Sequence, residues 1–165
     1  DQVRSGDPDN IEARAARFYW SRVLDDGRQP GAGQLIGSNA CLDYGYAVLR
    51  GHVIRAVLSA GLAPALGIFH RGRGNAFALA DDLIEPFRPA IDEVALKLPP
   101  TASPSDSGVK RVLVAAASQK FAADGFGIPA VAQDLAQQYG RYVEGEEDRL
   151  KVPSWQGPAS TDLSG

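Results

Sequence analysis

Apolar residues recur along this chain mainly at the three- and four-residue spacing of an amphipathic helix. From 38 to 60, Leu42, Tyr46, Leu49, Val53, Val57 and Ala60 mark one long helix, and Gly61 supplies its stop. Upstream, Asp9 or Asn10 is placed to cap a helix with Ile11, Ala15, Phe18 and Arg22 on one stripe. Glu12, Ala16, Tyr19 and Val23 form the adjacent stripe, so Glu12 borders the buried face. A Gly/Pro-rich loop is predicted over 25–37, and 62–69 reads as a connector because Pro64 and Gly67 interrupt it. Residues 75–98 form the next helical stretch, with Phe77, Ala80, Ile84, Phe87, Ile91 and Val94 facing the core. Pro86 and Pro89 each remove a backbone donor and should kink or split it. By composition, 99–108 is a linker. Two more amphipathic helices fit 109–123 and 129–144. The pattern predicts an all-α domain over 1–150 and an irregular tail over 151–165.

Bulk properties narrow the classes. With 165 residues, 22% charged and 44% hydrophobic, the chain can fold as one domain with a substantial core. No apolar run approaches 18 residues and no signal-peptide pattern opens it, so a cytoplasmic protein with no membrane span is expected. The single cysteine, Cys41, excludes an internal disulfide and reads as a small buried helix residue. The chain lacks methionine and opens on Asp1, which reads as a fragment of a longer protein. A net charge of −3 argues against nucleic-acid binding by bulk charge and leaves it to local clusters.

Candidate chemistry concentrates between Gly67 and Pro89. There His70 stands beside Arg71, Gly72, Arg73 and Gly74, and the carboxylates Asp81, Asp82 and Glu85 follow. On a helix, Asp82 and Glu85 share a side, as do Asp81 and Glu85. Crowding like charges is unfavourable unless a cation or Arg88 compensates. Together with Glu12, this hard oxygen and nitrogen set suits Mg²⁺ or Mn²⁺. The adjacent arginines point to a phosphate. Each element also has an ordinary explanation. Acidic residues commonly solvate a helix face, glutamates favour a first turn for its dipole, and Gly-rich basic turns often simply turn. His52, inside the long helix, reads as structural.

The ordered set is more specific than its parts. NIEARAARFYW (10–20), NACLDYGYAVLRGHVIRAVLSAGLAPALGIFHR (39–71) and NAFALADDLIEPFRP (75–89) closely resemble the C-terminal domain of the CRISPR adaptation integrase/endonuclease family, Cas "one". The likeness is strong over 7–92, looser beyond, and greatest to type II members. It implies a helical catalytic domain whose divalent ion, Mg²⁺ or Mn²⁺, is held by Glu12, His70 and Glu85, with Asp82 as an accessory acid. Spacing alone does not rank Glu85 above Asp81. The resemblance further implies insertion of prespacer DNA into a CRISPR repeat by 3′-hydroxyl attack on a phosphodiester, with Arg71 and Arg73 as candidate DNA phosphate contacts. It also implies a homodimer of the full-length protein joined to a small partner, Cas "two". Three positions depart from the pattern: Asp43 replaces a common Asn, and Phe69 and Gly74 stand where type II relatives often carry His and Tyr. The β-rich domain that normally precedes this one does not occur in the chain.

Three function classes therefore stand at the level of sequence. The first is a metal-dependent DNA integrase/endonuclease. The second is a non-catalytic helical module derived from one, binding DNA or protein partners. The third is an unrelated helical metallohydrolase acting on small phosphoesters.

Overall fold

The computed structural model describes residues 14, 18, 36–70, 74–121 and 125–157. Arg14 and Phe18 are helical. Five α-helices follow among the described residues: α1 (Ser38–Ser59), α2 (Ala78–Leu83), α3 (Arg88–Ala95), α4 (Ser107–Ala116) and α5 (Ile128–Val143). The only pairing of β type there is an isolated antiparallel bridge between Lys120 and Gly127. The described part is thus all-α, as its periodicity predicts. No helix in it is long and apolar enough to cross a membrane.

Helix α1 is the axis, and each of the other four helices packs against it. Its Leu49, Val53 and Val57 are almost wholly buried, with Phe87, Ile91, Leu79, Ile128 and Leu135 around them. Burying each such side chain contributes about 1.5–3 kcal/mol, so this cluster carries much of the stability. Small residues set the spacing. A Cβ on Gly45 would lie 2.5 Å from Ile91 Cγ2, so α1 and α3 meet this closely only because position 45 has no side chain. The helix ends at Gly61, whose φ of 73° suits glycine. There Leu62 N–H donates to Val57 C=O at 3.2 Å and Gly61 N–H to Leu58 C=O at 3.1 Å.

The stretch 75–98 is split as its prolines require. Helix α2 stops at Leu83, a 3₁₀ turn spans Glu85–Phe87, and α3 restarts at Arg88 with Pro89 in its first turn. Proline is tolerated at those early positions because no intrahelical donor is needed there.

The segment 99–108 is not the free linker its composition suggests. Ala102 is buried, its carbonyl accepts Gly37 N–H at 2.8 Å, and it packs with Cys41, Leu42, Ala95 and Leu113 in a second small core. Asp106 then caps α4, its carboxylate accepting Gly108 N–H at 2.7 Å and Val109 N–H at 3.0 Å. Beyond α5, Trp155 returns to the core: its ring lies 5.4 Å from Phe121, and its Nε1–H donates to Glu93 at 3.0 Å.

Candidate metal centre

The connector after α1 folds back on α2 through one carboxylate. Asp82 accepts the backbone N–H groups of Ile68, of Phe69 at 3.1 Å and of His70 at 3.2 Å. Its side chain is 2% exposed. Gly67 makes this closeness possible, since a Cβ there would sit 2.9 Å from Asp82 Oδ2 and 2.8 Å from Ala78 Cβ. A buried carboxylate with several N–H donors is well satisfied, and it fixes the turn that delivers His70.

The same carboxylate orients the imidazole. His70 Nδ1 lies 2.6 Å from Asp82 Oδ1, while the His70 side chain is about half exposed at 52%. An Nδ1–H donated to Asp82 assigns the lone pair to Nε2. This is the carboxylate–histidine arrangement that prepares an imidazole to bind a metal or accept a proton. Asp82 therefore acts on His70 from a buried position.

The expected cluster of Asp81, Asp82 and Glu85 is not one group. Asp81 turns to α1, where Arg50 donates to it from Nε at 2.5 Å and from Nη2 at 3.1 Å. Asn75 Nδ2 adds a bond of 2.7 Å. The hydrogen bond from Arg50, more than any other cause, holds the Asp81 carboxyl below its ordinary range, and Asp81 in turn raises Arg50. Glu85, on the 3₁₀ turn, pairs with Arg88 at 3.0 Å and is about half exposed. Each carboxylate thus has a local answer to its charge, and Arg88 supplies one of them as the sequence allows. Among the described residues, no group of three or more His, Cys, Asp and Glu is arranged to hold a metal.

Two members of the expected ligand set, His70 and Glu85, fall within the described residues; Glu12, Arg71 and Arg73 lie outside them. The described pair offers one directed imidazole nitrogen and one accessible carboxylate, which fits a hard divalent ion needing further oxygen ligands. One neighbour escaped the sequence reading. Tyr139 of α5 is half-buried, and its phenol is raised above its usual value by burial first and by the charge of Asp82 second. It stays protonated at neutral pH as an O–H donor near the Asp82 end of the site. Only the α5 periodicity, which turns Tyr139 towards the core, hinted at this.

The family described as "CRISPR associated protein Cas1" matches residues 36–105, the stretch holding α1, the connector, His70, Asp82 and Glu85. The CRISPR-associated endonuclease Cas1 of Neisseria meningitidis serogroup C (strain 8013) is 44% identical over 97 residues, 59% of this chain and 31% of that protein. A CRISPR-associated endonuclease Cas1 of Pyrobaculum aerophilum is 37% identical over 102 residues, 59% of this chain and 33% of that protein. The chain thus spans about a third of the length of these relatives. Among solved structures, a casposase bound to integration product superposes with a TM-score of 0.73 over 92% of this chain and 51% of that one. At 19% identity that likeness establishes the fold. Residues 36–105, which carry the histidine turn and the carboxylates of α2 and the 3₁₀ turn, are thus the part of the chain that matches the Cas1 family and resembles its endonucleases.

Proposed function

We propose that this chain forms the helical catalytic part of a divalent-metal-dependent DNA integrase/endonuclease, working on double-stranded DNA as prespacer and CRISPR repeat. The observation that carries the reading is the 2.6 Å bond between His70 Nδ1 and Asp82, which directs Nε2 as a ligand within a segment shared with Cas1 endonucleases. Glu12, His70 and Glu85 would hold Mg²⁺ or Mn²⁺, with Asp82 orienting His70. When bound, the ion would polarise the scissile phosphate and stabilise its developing charge. In strand transfer, the 3′-hydroxyl oxygen of the incoming DNA forms a bond to phosphorus as it gives up its proton. The bond from phosphorus to the 3′-oxygen of the target breaks, and that oxygen leaves as a new 3′-hydroxyl. One phosphodiester replaces another, so no external energy source is needed. With water as nucleophile, the same geometry gives endonucleolytic cleavage.

Arg71 and Arg73 lie one and three residues after His70 and would hold flanking phosphates. Their contribution would fall with added salt, consistent with a chain whose net charge of −3 offers no general attraction for DNA. The assembled protein would act as a homodimer joined to Cas "two".

A plasmid-nicking and oligonucleotide-joining assay with Mg²⁺, Mn²⁺ or EDTA tests this reading. Metal-dependent joining that His70→Ala and Glu85→Ala abolish is the expected result. Full activity in either variant would overturn it. DNA binding that is indifferent to EDTA, without nicking, would instead identify a non-catalytic module.

A further inference from the structure

Two residues that the metal reading leaves unused, Tyr46 and Arg88, meet in the structure. Tyr46 lies in the Tyr-Gly-Tyr-Ala-Val-Leu stretch of α1, and Arg88 closes the Glu-Pro-Phe-Arg stretch after α2. The Arg88 guanidinium carbon lies 4.6 Å from the centroid of the Tyr46 ring. The Tyr46 hydroxyl donates to Asp92, a carboxylate only 4% exposed and one helical turn beyond Arg88 on α3. On its other side, Arg88 Nη1 reaches Glu85 Oε1 at 3.0 Å. Four residues from three elements therefore form one chain: Asp92, Tyr46, Arg88, Glu85.

We infer that Asp92, Tyr46 and Arg88 form a positioning relay that presents the Glu85 carboxylate to the divalent ion. This rests on the metal reading above and deepens it. A Glu–Arg pair three residues apart on a surface helix is by itself weak and mobile. Here the arginine is held. Its guanidinium stacks on an aromatic face, which favours a fixed orientation, and that ring is anchored at its hydroxyl by a buried acid. Arg88 Nε is buried without a hydrogen-bond partner. A solvent-facing rotamer would avoid that cost, so the ring contact selects the inward one. The backbone adds a further constraint. Gly45, beside Tyr46, lets α1 approach Ile91, beside Asp92, at a distance no Cβ could share. The helix crossing that sets the core thereby also sets the ring beneath Arg88. Such partners behind a metal ligand fix its orientation, and their loss typically weakens metal affinity about 10–100-fold.

The test reads metal binding without activity. Mn²⁺ affinity of the whole chain is measured by water-proton relaxation, alongside the Arg88 Nε–Hε resonance of the metal-free protein. In wild type that resonance should be displaced by the Tyr46 ring current and protected from exchange. Tyr46→Leu and Arg88→Gln should each raise the Mn²⁺ Kd at least about tenfold. Tyr46→Phe, which keeps the ring and loses the anchor on Asp92, should weaken binding less and retain most of the ring-current displacement. Wild-type Mn²⁺ affinity in both Tyr46→Leu and Arg88→Gln would overturn the relay. If Tyr46→Leu does not melt cooperatively, Arg88→Gln, at a half-exposed position, decides alone. His70→Ala separates the two levels of the inference. If His70→Ala abolishes Mn²⁺ binding and the relay variants do not change it, only the relay fails. If His70→Ala leaves Mn²⁺ binding intact, the metal reading fails and the relay with it.

Discussion

Asp82 grips His70 twice, once at the ring and once at the backbone: Oδ1 lies 2.6 Å from Nδ1 and 3.2 Å from the His70 amide nitrogen. Position and tautomer of the imidazole thus come from one buried carboxylate on a different element. The histidine and its turn are set together, so a change at Asp82 should alter stability and His70 chemistry at once.

That coupling is measurable. Asp82→Ala leaves the N–H groups of Ile68, Phe69 and His70 without their acceptor, and should destabilise the fold by roughly 3 kcal/mol. Asp82→Asn keeps an acceptor oxygen and should cost less. Nitrogen NMR of the His70 ring should show the Nδ1–H tautomer giving way to a mixture in Asp82→Ala. An unchanged denaturation midpoint and an unchanged tautomer would contradict this assignment.

Acid should find a second weak point at Asp81. Its folded-state pKa lies below the ordinary value, chiefly through the hydrogen bond from Arg50. A group depressed in this way stabilises the fold above its unfolded pKa, near pH 4, and that contribution is lost as pH falls through the folded value. Denaturant unfolding of wild type and Asp81→Asn, followed from about pH 6 down to about pH 3, should show a shallower acid decline in the variant. Parallel declines would mean that the pair with Arg50 contributes no pH-dependent stability.

The returning tail makes a separate prediction. Trp155 packs on Phe121, which itself lies 4.9 Å from Phe87 at the centre of the core. Trp155→Ala removes that contact and the bond to Glu93, and should cost about 2–4 kcal/mol, toward the lower end because the ring is only partly buried. Trp155→Phe should recover the packing and lose only the hydrogen bond. Thermal melts of the two variants give the comparison, and equal losses would mean that the Nε1–H bond carries the anchoring.

How much of this was legible beforehand depends on whether the cause is local. Helix α1 follows from the spacing of Leu42, Tyr46, Leu49, Val53 and Val57, because one buried face repeats with the helical period. The break between α2 and α3 follows from Pro86 and Pro89. His70, Asp82 and Glu85 were marked as chemical by their residue types and by resemblance. Their partners were not. Asp81 and Asp82 are adjacent in sequence, yet one meets Arg50 on α1 and the other the connector amides. Spacing on a helix says which residues are neighbours, and it says nothing of what faces them across the packing. Residues 99–108 misled for a related reason: the tie between Gly37 N–H and Ala102 C=O is made by backbone atoms, which leave no trace in composition.

The sharpest contrast lies between two glycines that look alike in sequence. Gly51 sits on the exposed side of α1, and a Cβ there would meet nothing within 4 Å. Gly51→Ala should therefore stabilise the protein by about 0.5–1 kcal/mol, because alanine loses less backbone entropy in a helix. Gly67 is enclosed: an added Cβ would collide with the His70 carbonyl oxygen and crowd Asp82 Oδ2 at 2.9 Å. A carbonyl cannot swing aside as a side-chain tip can, so Gly67→Ala must displace the turn that carries His70. The expected outcome is a lower melting temperature, together with loss of the His70 ring signature described for Asp82→Ala. Gly51→Ala should melt higher with that signature intact. If Gly67→Ala kept both wild-type stability and the wild-type His70 tautomer, the connector would not close on Asp82 through the empty space at position 67.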